Sequence, residues 1–328
     1  MQTVRKTTYG RLALALATAM LGACGGGNAD TPQANQLDPA IIQQEIDARS
    51  VALASIDPNH TDFSDLAVFG QSVGDARIVV LNETEHALGE NMRLVARLTR
   101  YLHEQKGFDV FLMESSLFDV QRMVELKQQQ GISYLDSGPG RMFFATSRTA
   151  EGRELVRYLD QAAQGGRPLQ LAGVDVMMGG ESSLTELLPR LEHYLRQNGS
   201  TLPDSANWPA YRMVSQKIAS LVQVQSDRPS SAEQAAFQQV STQLASELCQ
   251  TPYAGEAVFE SKSYWCRVTQ SLPYQARYLW TSAGSSNADL NWAERDIAQG
   301  QNAAWWLEGP FRGKKAILFT HAAHGSVA

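Results

Sequence analysis

The chain has 328 residues, 43% of them hydrophobic and 19% charged, with a formal net charge of −6. Those proportions belong to a folded globular protein and exclude a disordered one. The acidic balance excludes a nucleic-acid surface, which needs clustered Lys and Arg.

At the N-terminus Arg5, Lys6 and Arg11 precede the apolar stretch LALALATAMLGA, and Cys24 follows. A basic start, a short apolar core and small residues make an export signal over 1–23, too short to span a bilayer as a stable helix. The stretch LGAC, Leu21 to Cys24, looks like a bacterial lipobox. That likeness implies cleavage before Cys24, lipidation of its thiol and a lipid anchor in the bacterial envelope, on the periplasmic side of the outer membrane. Residues 1–23 carry three basic side chains and no acid, so their removal takes the net charge from −6 to −9. Residues 24–38, CGGGNADTPQANQLD, read as a flexible tether. The folded domain is expected over 39–328.

The segment GQSVG at 70–74 matches the nucleophile-elbow pattern, but that motif must follow a strand and open a helix. Here it precedes the first strand, so Ser72 is read as a loop residue.

Four short apolar runs without alternation read as strands of a parallel sheet covered on both faces. They are ARIVVLN (76–82), DVFLME (109–114), PLQLAGVD (168–175) and KAILFTH (315–321). Between the first two, Val95, Leu98 and Leu102 line one face of a helix that Gly107 stops. Residues 150–165 form the helix before the third strand. From about 182 to 308 helical spacing recurs without a convincing strand, as a large insertion or cap that returns to the sheet at 315. The fold class is therefore α/β: a mainly parallel central sheet flanked by helices, with a large helical insertion. The tryptophans and tyrosines of the insertion are read as core. Cys249 and Cys266 lie 17 positions apart, a spacing that suits a disulfide in an oxidising compartment.

In a parallel sheet the carboxyl ends of the strands share one edge, and ligands bind outside it. Each candidate strand ends in a titratable residue. Glu83 follows the first, with His86 three positions on; Glu114 ends the second; Asp175 ends the third; His321 ends the fourth, with His324 three positions on. Together they place carboxylates and imidazoles around one rim. Glu85 is read as solvent-facing. Glu90 fits either a helix-start acid or a site residue, and Arg93 and Arg97 lie on its helix face, where they suit ion pairs with it.

An imidazole takes a proton from water near neutrality, and a carboxylate beside it orients the ring. A second imidazole, if protonated, stabilises an oxyanion. Hydrolysis by activated water fits such a set without a covalent nucleophile. The same groups also suit a divalent metal, so a metal-dependent protease stays open.

The ordered series resembles the erythromycin esterase family. Asn82-Glu83-Thr84-Glu85-His86-Ala87 stands at its Gly-Glu-x-x-His-Gly segment. Gly107-Phe108 and Glu114 follow, then Gly173-Val174-Asp175, then Arg295, Asp296 and Asn302, and finally His321-Ala322-Ala323-His324 at His-Asn-x-His. The resemblance implies an α/β sheet with a helical region and hydrolysis of an ester such as a macrolide lactone, hence a link to antibiotic resistance. It implies that His86 activates water, assisted by Glu83 and Glu114, with His321 and His324 in the same site. Glu90, Arg93, Asp175 and Arg295 are then expected to bind substrate. Asn82 and Ala87 stand where the family has glycines, Ala322 where it has Asn, and Val95 where it has an arginine; the His/Glu set itself is intact. The chain stops four residues after His324, where family members continue, which suggests a truncated product.

The expectation is a hydrolase acting on a small-molecule ester, with no cofactor required, a divalent metal left open, a membrane contact through the lipid anchor and no nucleic-acid partner. The rival is a haem- or metal-binding surface lipoprotein of related fold, with His324 or a tyrosine as axial ligand.

Overall fold

A computed structural model describes residues 38–220, 227–281 and 288–325. The expected export signal, Cys24 and nearly all of the expected tether lie outside the described residues. The chain divides into two compact units, one of residues 1–55 and 62–72, the other of 56–61 and 73–328.

The first unit contains the helix Pro39–Arg49, whose N-terminus is capped by the Asp38 carboxylate accepting from the Ala40 amide at 2.9 Å. No residue of that helix is buried, because its sequence has no apolar stripe. Ser72 is not the loop residue expected: it belongs to the helix Ala67–Val73 and donates to the Val68 carbonyl at 3.0 Å, while among the described residues no strand precedes it to make an elbow.

The second unit is built on four strands: β1 (Ile78–Glu83), β2 (Phe108–Ser116), β3 (Gln170–Asp175) and β4 (Lys315–His321). All pairings are parallel, in the order β1-β4-β2-β3. The expected strands all form. β4 inserts between β1 and β2, so the last strand in sequence brings its carboxyl end between those of the first two. The fold is α/β, a parallel sheet flanked by helices.

The centre of the sheet is dry. Phe108, Val110, Phe111, Leu112 and Met113 of β2 are at most 1% exposed; burial of each such side chain contributes about 1.5–3 kcal/mol. β1 departs from expectation. It lies at the edge, and Ile78 and Val80 are 50% and 43% exposed, so one of its faces is uncovered among the described residues. An uninterrupted apolar run does not by itself tell a central strand from an edge strand.

The helix Gly89–Lys106 joins β1 to β2. Val95 and Leu102 are buried along it, Leu98 only partly, and Gly107 ends it in the left-handed conformation at φ 75°. A close approach explains Gly173: a Cβ there would lie 2.4 Å from the Ser116 carbonyl oxygen, where β2 and β3 shift register. Only hydrogen fits, and Asp175 two residues later is placed by that contact.

Between β3 and β4 every described element is helical, as expected. One long helix, Lys262–Thr281, was not legible in the sequence because Pro273 interrupts its pattern. The helix Leu117–Gln130 after β2 was likewise not foreseen. Trp208, Tyr211, Tyr264, Trp265 and Trp306 are all at most 3% exposed and form the core of this region. Cys249 and Cys266 are joined as a disulfide. It ties the end of the Ser231–Leu248 helix to the start of the next. Among the described residues no helix is long and apolar enough to cross a membrane.

Candidate active site

Parallel pairing brings Glu83, Asp175 and His321 to the carboxyl edge at the ends of β1, β3 and β4, with Glu114 near the end of β2. The rim that results has two parts.

The first part is centred on Arg295, from the helix Ala288–Glu308. Its Nε donates to Asp175 Oδ1 at 3.1 Å, and one terminal nitrogen reaches Asp175 Oδ2 at 2.6 Å and Glu114 Oε1 at 2.9 Å. Its other terminal nitrogen lies 2.8 Å from His324 Nε2. Burial alone would push the Asp175 carboxyl up, but the Arg295 guanidinium, joined by the Met177 amide and Gln299, holds that group below its ordinary 3.8. Burial likewise disfavours the Arg295 cation, and the two carboxylates more than restore it, raising its pKa above the ordinary arginine value. Gln299 and the Met177 amide complete the Asp175 shell at 3.2 and 3.1 Å. Glu114 is equally committed: its Oε2 accepts from the Thr320 hydroxyl at 2.9 Å and the His321 amide at 2.8 Å.

The partners fix the state of His324. A guanidinium only donates, so His324 Nε2 accepts from Arg295. The proton is then on Nδ1, which donates to Asp296 Oδ1 at 2.6 Å. Glu114 Oε1 stands 3.5 Å from the same Nε2, too far to compete with Arg295. His324 is thus a neutral imidazole with both nitrogens occupied. That position offers neither a protonated oxyanion donor nor a vacant axial ligand for haem. Burial raises the Asp296 carboxyl, and the His324 contact offsets this only in part.

The second part is open. The His86 side chain is 40% exposed, and its Nδ1 lies 2.6 Å from Glu83 Oε1. A carboxylate accepts, so Nδ1 carries the proton and the Nε2 lone pair faces outward with no partner among the described residues. Glu83 is 3% exposed, and its second oxygen Oε2 is buried without a hydrogen-bond partner among the described residues. The His321 ring centre is 4.8 Å from that of His86. His321 Nε2 donates to the Thr84 carbonyl at 3.1 Å and Nδ1 accepts from the Ala323 amide at 3.1 Å, which makes His321 neutral too. Of the three rim histidines, only His86 has a nitrogen free to take a proton. Phe143 packs beside it, ring centres 4.7 Å apart, and leads to Phe144, 56% exposed.

Two expected substrate-binding residues stand apart from these contacts. Arg93 pairs with Glu154 at 3.3 Å and Asp57 at 3.9 Å rather than with Glu90. Glu90 is exposed in the first turn of its helix, where an acid suits the helix dipole. Arg97 is fully buried, and Glu85 is exposed as expected. Sequence reasoning did not place Asp296 or Thr320 among the site residues, although Asp296 stands in the motif series beside Arg295. Among the described residues no three His, Cys, Asp or Glu side chains stand together as a metal-ligand set.

Comparison with known proteins agrees with this architecture. The erythromycin esterase family model matches residues 103–327, so Glu83 and His86 lie outside the matched span. YbfO of Bacillus subtilis (strain 168), named as a candidate hydrolase, is 30% identical over 122 residues, which is 37% of this chain and 26% of YbfO. A structure described as a succinoglycan biosynthesis protein aligns over 86% of this chain and 66% of its own, with TM-score 0.62 and 17% identity. A mutant of the erythromycin esterase EreC in its open conformation aligns over 81% of this chain and 65% of its own, with TM-score 0.58 and 19% identity. A Bacillus cereus protein aligns over 86% and 65%, with TM-score 0.58 and 18% identity. The structural likenesses show a shared fold. The chain spans about a quarter of YbfO and about two thirds of each solved structure.

Proposed function

From the premise that this chain belongs to the erythromycin esterase family, we propose that it is a hydrolase that cleaves a carboxylic ester or lactone with water activated by His86. The observation that carries this reading is the state of the three rim histidines: His321 and His324 are saturated by fixed partners, and His86 alone keeps a free lone pair.

The chemistry follows from that geometry. Water at His86 Nε2 attacks the ester carbonyl carbon while its proton passes to Nε2. Glu83, accepting from Nδ1, stabilises the imidazolium that forms. Collapse of the tetrahedral intermediate breaks the C–O bond, and the leaving alkoxide recovers the proton from Nε2. Glu83 Oε2 is buried, so Glu83 acts through Oε1 on the His86 ring and not on the water itself. His321 Nε2–H is the nearest ring donor to the reacting face and serves the oxyanion once it releases the Thr84 carbonyl. Phe143 and Phe144 give the substrate an apolar wall. Arg295 and Asp175 act behind the site, holding the ends of β2, β3 and β4 together. Export with a lipid anchor at Cys24 in the envelope is part of the proposal, and the Cys249–Cys266 disulfide supports an oxidising compartment; mass spectrometry of the mature N-terminal peptide tests the anchor.

The mechanism is tested by turnover of a panel of aryl esters and lactones by wild type and His86→Ala. General-base loss predicts a fall in kcat/KM of about 10²–10⁴. Turnover within about twofold of wild type would remove His86 from the mechanism.

A further inference from the structure

The helical region holds a cavity that shares no lining residue with the rim. It measures about 550 Å³ and opens to solvent between the helices Ser231–Leu248 and Lys262–Thr281. Its wall is polar and apolar in about equal parts, with Thr242, Gln270 and Tyr274 beside two arginines, Arg267 and Arg277. Pro273 lies on the same wall; it has no N–H for the Thr269 carbonyl four residues back, so the helix cannot close regularly there.

The two arginines are held differently. Arg277 forms an ion pair with Glu294 and lies over the Tyr274 ring, 4.5 Å from its centre. Arg267 has no carboxylate partner among the described residues. Its Nε donates to Asn302 Oδ1 at 2.9 Å, and its two terminal nitrogens donate to Gln270 at 2.9 Å and Gln301 at 3.2 Å. A guanidinium has five N–H groups, so one remains on each terminal nitrogen. Three amide oxygens satisfy hydrogen bonds but leave the charge uncompensated. Two other partly buried arginines sit on acids, Arg295 on Glu114 and Asp175 and Arg122 on Glu125 and Glu186, whereas Arg153 bonds only the Leu135 and Ser147 carbonyls among the described residues. Burial accordingly pulls the Arg267 pKa below the ordinary arginine value, and no carboxylate opposes it.

We propose that the Arg267 cavity binds a small oxyanion, a carboxylate or phosphate group carried on a polar, hydroxylated body, at a site distinct from the rim. The two remaining N–H groups of Arg267 suit a carboxylate or phosphate. The surrounding glutamine, threonine and tyrosine groups suit hydroxyls, and the volume is that of an ordinary small-molecule site. A net-negative chain repels anions at long range, so binding here depends on the local cation. The pocket is also tied to the sheet: Asn302, which accepts from Arg267, donates to the Val174 carbonyl at 2.9 Å, one residue before Asp175.

The test is calorimetric titration of the full chain with inorganic phosphate and with gluconate, at constant ionic strength in chloride. One saturable site is expected. Arg267→Gln should weaken it by about tenfold or more, ~1.4 kcal/mol. Thr242→Trp, which fills the cavity without touching the Arg267 bonds, should abolish it. Absence of saturable binding of either anion to wild type overturns the proposal, as does binding that survives Thr242→Trp. If Arg267→Gln does not fold, Thr242→Trp decides alone.

Discussion

The two parts of the rim use the same residue types to opposite ends. Around Arg295, two carboxylates and an imidazole are saturated with partners, and the Asp175 and His324 side chains are 7% and 5% exposed. Around Glu83, one carboxylate and one imidazole each keep an atom unpartnered among the described residues, and the His86 side chain is 40% exposed. Glu83 and Glu114 both follow apolar strand segments, yet one supports a free base and the other clamps the end of β4. Which lone pairs remain open here is set by the neighbours, not by residue type. A locked half behind an open half gives the base a fixed support.

The sharpest way to break this contrast is Arg295→Met. It strands Glu114 and Asp175 as two buried carboxylates without their cation, and a loss of about 3–5 kcal/mol is expected from urea unfolding. His86→Ala, at an exposed ring, should change stability by only about 0.5 kcal/mol while removing activity. Equal stability losses for the two would mean that the rim is not divided as described.

A smaller effect separates two acids of the locked half. Asp175 has a depressed pKa, so its stabilising contribution is present above its ordinary 3.8 and is lost as pH falls through the depressed value. Asp296 has a raised pKa, so its contribution is present below 3.8 and is lost as pH rises through the folded value. At pH 7, therefore, Asp175→Asn should destabilise by about 1–3 kcal/mol. Asp296→Asn should leave stability unchanged or slightly higher, since the amide oxygen still accepts from His324 Nδ1. Unfolding free energies of the three proteins measured from neutral pH to below 3.8 test both signs. A destabilisation of equal size in Asp296→Asn would show that its charge supports the fold.

Much of this was legible in one dimension because the signals are local. Four apolar runs ending in titratable residues, Gly107 at a helix stop and the 17-residue cysteine spacing each describe a short stretch, and each recurs in the structure. The pairing of Glu83 with His86 needs only a three-residue separation. What escaped is contact across long separations. Arg295 meets Glu114 and Asp175 across 181 and 120 residues, and no local pattern announces that this consumes their lone pairs. The same holds for Arg93, drawn to Glu154 on another helix instead of to Glu90 on its own. The exposed face of β1 escaped because strand order, not strand composition, decides what is covered.

The open half also carries a strained residue, which gives the smallest test. Ala87, directly after His86, has φ 65° and is the only non-glycine with positive φ among the described residues. An alanine in that region costs roughly 1–2 kcal/mol from its Cβ against the backbone. A glycine would remove that cost, and its greater freedom in the unfolded chain would return about 0.4–1 kcal/mol of it. Ala87→Gly is therefore expected to raise stability by on the order of 0.5–1 kcal/mol, read as a higher urea midpoint at unchanged slope. Ala87→Val, β-branched at a positive φ, should lower it. The two substitutions bracket the turn that folds the His86 ring back onto Glu83. If Ala87→Gly gains stability but loses turnover, the strain holds the imidazole in register with its carboxylate. If it gains both, the Glu83 hydrogen bond alone suffices to orient the base, and the support drawn from the locked half ends at the strand termini.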